Sequence, residues 1–403
     1  MIKIAIVTPG ALPVPCVKGG AVETGIQQLI DMNEKYEKVK FVVFSIDDID
    51  AVKKAKECKN TEFIFIEEPR YEKVLIGLRR GINRICKLVG IKYRVIIRKR
   101  YIKKVKKYLK NNRTDAILIK NTERYVEVLG KLDVPIFYQL HNDFLNENTY
   151  RAVQIVECCK KIIANSLYIG NRVKTISNMK NREVFINYNC NENEKFCIEN
   201  IDNKRLKKFR EKYSLENNGV NIIFVGRITQ QKGIKELIEA LCLLPGSINW
   251  RLMVVGSKWF SSDSSSAYER ELLKISEKCK DRIIFLGYLE HEDIPLAYNS
   301  ANIAVVPSIW NEPAGRVVLE AEAAGLPLIV SDAGGIAEYT NDECAITVKR
   351  GENFVQDLKK SILYLINHKE ECIERGKRGK EIAAKFNVDR YYDEIITYIE
   401  ENL

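Results

Sequence analysis

Histidine is nearly missing from this chain: His141, His291 and His368 are the only three in 403 residues. They are far apart in sequence, and the eleven cysteines contain no C-x-x-C spacing, so a zinc site built from His and Cys is not expected. The cysteines are odd in number and scattered, and the adjacent pair Cys158 and Cys159 has poor geometry for a mutual disulfide. Reduced thiols are expected throughout. No apolar run approaches the roughly 18 residues that suggest a membrane span, and the start MIKIAIVTPG reads as a strand without the basic n-region of a secretion signal. A cytoplasmic protein is expected.

A further absence is local. From Lys73 to Arg113 there is no Asp or Glu, while sixteen Lys and Arg are present, more than the net charge of +11, so the remainder of the chain is net acidic. In this segment the cations alternate with apolar residues, as in KVLIGLRRGINRICKLVGIKYRVIIRKR. That pattern makes helices with one oily and one basic face. Peripheral binding to an anionic membrane surface on the inner leaflet is the expectation, against a plain solvated face over the N-terminal core. Nucleic acid is disfavoured, because the only aromatics are Tyr93, Tyr101 and Tyr108 and no binding motif is present.

What is abundant is a repeated alternation of short Ile/Val-rich runs with helical periodicity, the signature of βα units on a parallel sheet. A chain of this length exceeds one ordinary core, so two domains are expected. Strands are predicted at 3–8, 41–46, 62–66, 116–119, 136–140, 161–165 and 184–186, then at 222–225, 251–255, 283–286, 303–306, 328–330 and 345–348. The polar stretch 189–218 between the two sets is the connection, helical near 204–212. This gives an N-terminal Rossmann-like domain over 1–200, a C-terminal one over 201–387, and a terminal helix from Val388 to Leu403 with Tyr391, Tyr392, Ile395, Ile396 and Ile399 at helical spacing.

Within the second set, PSIWNEPAGRVVLEAEAAGLPLIVSDAGGIAE (Pro307–Glu338) is the richest segment. Glu312 and Glu320 flank the start of a helix that opens near Ala314 and Gly315, carries Val317, Val318, Ala321 and Ala324 inward, and stops at Gly325 before Pro327. The N–H groups of Ala314, Gly315, Arg316 and Val317 lie at or near its positive end, where an anion is favoured. Taken alone, such a Glu pair reads as a cap and a surface charge.

The spacing EPAGRVVLE resembles the E-x7-E signature of glycosyltransferase family 4, and other segments resemble that family in the same order along essentially the whole chain: KGGAVE (Lys18–Glu23), INYNCNENEKF (Ile186–Phe196), IFVGRITQQKG (Ile223–Gly233) and VSDAGGIAE (Val330–Glu338). The resemblance implies an α/β protein of the GT-B fold, two Rossmann-like domains facing across a cleft, and a retaining transferase that uses a nucleotide sugar, a UDP-sugar foremost, without a divalent metal or other cofactor. It assigns Arg227 and Lys232 to the departing diphosphate, His141 and Glu312 to the transferred sugar, and Glu320 to the ribose. Gly19 and Gly20 admit close backbone approach, and Glu23 beside them reads equally as a first-turn complement to the helix dipole. Gly256 lets the chain pass near the nucleotide, and Tyr288 and Leu289 hold the base. Asp143 is a weaker acceptor contact, and Ser257 to Phe260 are bulkier than the family pattern. The acceptor implied is a glycan or lipid-linked molecule in surface polysaccharide or glycoconjugate synthesis, and the terminal helix is expected to return to the first domain. A non-catalytic transferase-like coat or binding protein and another GT-B enzyme, such as a nucleotide-sugar epimerase, are the alternatives. Asp48-Ile49-Asp50 imitates a D-x-D metal motif, but its place after the second strand reads as a helix cap.

Overall fold

The predicted strands all form, with ends shifted by two residues or fewer. The computed structural model describes residues 1–93, 95–215, 219–256 and 267–403; Arg94 and the Ser257–Phe260 stretch singled out above lie outside them. The first unit takes in Met1–Asn189 and Val388–Leu403, the second Cys190–Asn387.

The first unit runs β1 (Lys3–Val7), α1 (Ala21–Tyr36), β2 (Lys40–Ile46), α2 (Ile49–Ala55), β3 (Thr61–Ile66), α3 (Arg70–Leu88), α4 (Lys99–Asn111), β4 (Ala116–Lys120), α5 (Glu123–Leu129), β5 (Ile136–Leu140), α6 (Ala152–Glu157), β6 (Lys161–Ala164), α7 (Leu167–Lys174) and β7 (Phe185–Ile186). Its seven strands pair in parallel in the order β3-β2-β1-β4-β5-β6-β7. The second unit runs α8 (Asn203–Lys212), β8 (Val220–Val225), α9 (Ile234–Cys242), β9 (Trp250–Val255), α10 (Ala267–Ile275), β10 (Ile283–Gly287), α11 (Ile294–Tyr298), β11 (Ile303–Val306), α12 (Arg316–Ala323), β12 (Leu328–Ser331), β13 (Ala345–Val348), α13 (Phe354–Asn367) and α14 (Lys369–Ala384), with strand order β10-β9-β8-β11-β12-β13.

Central strands are covered on both faces, which is why they read as continuous apolar runs: every residue of β4 and β5 is buried. In each sheet the order reverses direction once, between β1 and β4 and between β8 and β11. Loops leaving the carboxyl ends of the strands at such a reversal diverge and leave a crevice for ligands.

The last helix, α15 (Val388–Glu401), belongs to the first unit and packs on α1. It buries all five apolar residues predicted for it together with Tyr398. Tyr392 Oη donates to Asn33 Oδ1 at 2.7 Å, and Lys38 pairs with Asp393 at 2.8 Å.

Two expectations are corrected. Cys242, the last residue of α9, is bonded to Cys279 with a Cα separation of 6.1 Å, so the thiols are not all free. Packing of α9 beside the 3-10 turn Ser276–Arg282 brings together two cysteines 37 residues apart, which spacing alone does not reveal. In α12 the buried face is Val318, Leu319, Ala321, Glu322 and Ala323, while Val317 and Ala324 are only half-buried. The helix starts at Arg316, so its inward stripe is rotated relative to the expected one.

The basic segment divides into two helices of opposite habit. Helix α4 buries Tyr101, Ile102, Val105 and Leu109. Helix α3 buries only Glu72 and Ile76 and leaves Tyr71, Val74, Leu78, Ile82, Ile85 and Val89 beyond its end exposed. Its inner side is polar: Arg79 Nη1 donates to Glu72 Oε1 at 2.6 Å and to the Ile97 carbonyl at 2.9 Å, and Asn83 exchanges two hydrogen bonds with the Val95 backbone. Among the described residues no helix is long and apolar enough to cross a membrane.

Candidate active site

Because β8 and β11 flank the reversal in the second sheet, the loops that follow them are neighbours, and this brings Lys232 to Glu312. Lys232 ends a 3-10 turn, Gln230–Lys232, and its Nζ lies 2.6 Å from Glu312 Oε1. Ser308 Oγ donates to the same oxygen at 2.7 Å. Glu312 is only 6% exposed, so two donors compensate the cost of taking its charge out of water.

Backbone contacts hold both loops. Ile309 N donates to the Gln231 carbonyl at 3.0 Å, and Gly335 N to the Glu312 carbonyl at 2.7 Å. At Gly334, φ is +60° and an added Cβ would lie 2.4 Å from the Glu312 carbonyl oxygen. At Gly233, φ is +70° and a Cβ would meet the Pro307 carbonyl at 1.8 Å. Both positions therefore require glycine. Arg350 braces the outside of the loop through Asp332 at 2.7 Å and Asn311 at 2.9 Å.

Helix α12 begins beyond this pair. Val318 and Leu319 make the first bonds back to Gly315, so the N–H groups of Arg316 and Val317 precede the helical ladder, with Ala314 and Gly315 just ahead of them. One turn on, Glu320 accepts a hydrogen bond from Tyr298 Oη at 3.1 Å. Burial lifts the Glu320 carboxyl above the usual carboxylate range, opposed by the Arg316 charge and the Tyr298 hydroxyl.

The other predicted residues of the second unit lie in the loops after β8, β9 and β10. Arg227 follows β8, is exposed, and makes no ion pair among the described residues. Gly256, after β9, faces the backbone of Gly226, where a Cβ would lie 2.0 Å from the carbonyl oxygen. Its role in this fold is to let two strand ends close together. Gly256 N donates to the Gly287 carbonyl at 2.8 Å, fixing the turn that presents exposed Tyr288 and buried Leu289.

In the first unit, Gly19 and Gly20 adopt φ of +70° and +102° and lead into α1. A Cβ on Gly20 would lie 2.4 Å from Glu23 Oε2. Glu23 is 5% exposed, and burial pushes its carboxyl up to about 7 despite backbone hydrogen bonds from its own N–H and that of Leu12. His141 follows β5, its backbone N–H donating to Asn121 Oδ1 at 3.1 Å. Asp143 is taken up by Arg172 at 3.0 Å and Asn146 at 2.8 Å. A cavity of about 400 Å³ at the carboxyl ends of β1 and β4 is lined by Pro9, Ala11, Asn121, Ile96, Tyr125 and Phe144 among others. Asp48 caps α2, accepting from the N–H groups of Asp50 and Ala51, and pairs with Lys18.

Ser308, Tyr298, Asn121 and Gly334 were not singled out from sequence. Only Gly334, in the Gly-Gly turn, carried a signal. The Ser308 and Tyr298 contacts arise from chain segments that say nothing of a partner until they are folded.

Residues 206–382, which cover most of this second unit and both members of the Lys232–Glu312 pair, match the family described as Glycosyl transferases group 1. Spore coat protein SA of Bacillus subtilis is 24% identical over 99% of this chain and 100% of its own length. The capsular polysaccharide biosynthesis glycosyltransferase CapM of Staphylococcus aureus is 28% identical over 59% of this chain and 60% of its own. Among solved structures, Anabaena HepE in complex with UDP superposes with a TM-score of 0.71 at 20% identity, covering 100% of both chains. The chain thus has the α/β GT-B fold, with a seven-stranded and a six-stranded parallel sheet.

Proposed function

We propose that this protein is a retaining, metal-independent glycosyltransferase that moves a sugar from a nucleoside-diphosphate sugar, UDP-sugar foremost, to a glycan or lipid-linked acceptor. The observation that carries the reading is the Lys232–Glu312 pair at the mouth of α12, half-buried Lys232 on buried Glu312. As the C1–O bond to the diphosphate breaks, negative charge grows on the leaving phosphate. The Lys232 ammonium, Arg227 and the leading N–H groups of α12 are the groups placed to stabilise it. Glu312 then orients hydroxyls of the transferred sugar, and Glu320 accepts from the ribose. The acceptor hydroxyl attacks C1 on the face the diphosphate leaves and passes its proton to the departing phosphate oxygen. The UDP in the HepE structure supports a uridine nucleotide, and the CapM likeness supports a surface polysaccharide.

In the first unit, the 400 Å³ cavity is the acceptor-side candidate, and His141 contacts the transferred sugar. The outward apolar residues of α3 support contact with an anionic membrane surface by the 73–113 segment. Incubation with a panel of nucleotide sugars, reading donor hydrolysis and thermal stabilisation, tests the donor class: turnover of at least one is expected, and none would return the reading to a non-catalytic protein. That second reading is favoured by the full-length likeness to a spore coat protein. Proton NMR of the product linkage decides retention. Activity should persist in EDTA; loss restored by manganese would overturn metal independence.

A further inference from the structure

The geometry points to a phosphate-binding groove between α3 and α4 that seats the phosphomonoester or diphosphate headgroup of a membrane lipid. The groove has a volume of about 480 Å³ and is lined by Tyr71, Glu72 and Arg79 of α3 and by Lys99, Arg100, Lys103, Lys104 and Lys107 of α4. Glu72 and Arg79 neutralise one another at 2.6 Å. Arg100 is oriented by the neutral Tyr71 hydroxyl at 2.7 Å, and the four lysines have no acidic partner among the described residues.

This arrangement works against the fold. Lys99–Lys103, Lys103–Lys107 and Arg100–Lys104 are like-charge pairs one helical turn apart, each unfavourable to the helix. The first turn of α4 holds no acidic residue and its N-cap position, Arg98, makes no side-chain cap, so the positive end of the helix dipole adds to the repulsion. Five cations concentrated on one face of two turns are compensated by a polyanion of high charge density, and a phosphate with two ionised oxygens fits that better than a phosphodiester. The source is a bilayer because the groove adjoins the outward apolar residues of α3: Tyr71 lines the groove and is 56% exposed, and Val74 and Leu78 beside it are 64% and 59% exposed. A headgroup in the groove and acyl chains against that stripe satisfy both surfaces together. This rests on the membrane reading above and adds a defined headgroup site to it.

The test uses the full chain in vesicle flotation with phosphatidylcholine alone, with phosphatidylserine, and with phosphatidic acid at matched surface charge, alongside calorimetry with inorganic pyrophosphate. Binding to phosphatidic acid is expected to exceed that to phosphatidylserine by about tenfold. The Lys99→Gln, Lys103→Gln, Lys104→Gln, Lys107→Gln variant should lose that preference and melt no lower than the parent, since it relieves repulsion. A matched variant with Arg80, Arg84, Lys87 and Lys92 changed to Gln should bind anionic vesicles more weakly yet keep the preference. Equal binding to the two anionic lipids, or equal loss of preference in both variants, overturns the groove while leaving membrane contact standing. Pyrophosphate binding without flotation overturns the lipid source, and no binding to any anionic vesicle overturns the membrane reading itself.

Discussion

Glu312 and Glu23 are alike in burial, 6% and 5% exposed, and each sits in a loop-to-helix junction at the carboxyl edge of a parallel sheet. Their surroundings separate them. Glu312 meets an ammonium and a hydroxyl at 2.6 and 2.7 Å. Glu23 has backbone donors but no cation among the described residues, and desolvation raises its carboxyl to about 7. The second unit therefore presents a charged pair at its mouth, while the first presents a carboxyl that exchanges its proton near neutral pH. The Lys232–Glu312 pair suits a site where charge develops, and the glycine loop surrounds a group that can either donate or accept a hydrogen bond.

Removing one member of the charged pair should have the largest effect. Lys232→Ala leaves Glu312 with Ser308 alone, and we expect kcat to fall by about a thousandfold and stability by about 3 kcal/mol, read by donor turnover and urea unfolding. Glu23→Gln comes next. In the folded chain this carboxyl holds its proton more tightly than in the unfolded chain, so its contribution to stability is complete below pH 4.5 and is lost as pH rises through about 7. The displacement corresponds to roughly 3 kcal/mol, and the wild-type decline in stability over that window should be absent in the Gln variant by denaturation at a series of pH values. Glu312→Gln keeps the shape but removes the charge; about a hundredfold lower kcat with a native melting curve is expected. Ser308→Ala removes one hydrogen bond to the carboxylate and should cost about tenfold in kcat. If Ser308→Ala equals Lys232→Ala, the contrast between the two carboxyls does not rest on the cation.

The fold was legible because each strand, buried on both faces, leaves an uninterrupted apolar run, and the α15 stripe from Tyr391 to Ile399 keeps one helical face. The positions of Glu312, Lys232 and Gly20 were legible through motif order. Helix α3 was only half legible. Its amphipathicity was evident, but periodicity does not say which side turns inward, and here the Glu72–Arg79 pair and the Asn83–Val95 hydrogen bonds hold the polar side against the protein. The Cys242–Cys279 bond and the rotation of α12 were hidden for the same reason: each depends on which neighbour a residue meets.

Residue order alone determined two parallel α/β units and their strands, because these follow from hydrophobic spacing and local backbone rules. Tertiary structure decided which glutamate is paired and which is raised in proton affinity, that Gly334 and Gly233 are there to admit the backbones carrying Glu312 and Pro307, and that α3 shows its apolar side to solvent. Those outcomes depend on distances between segments far apart in the chain, such as the 2.6 Å between Lys232 Nζ and Glu312 Oε1.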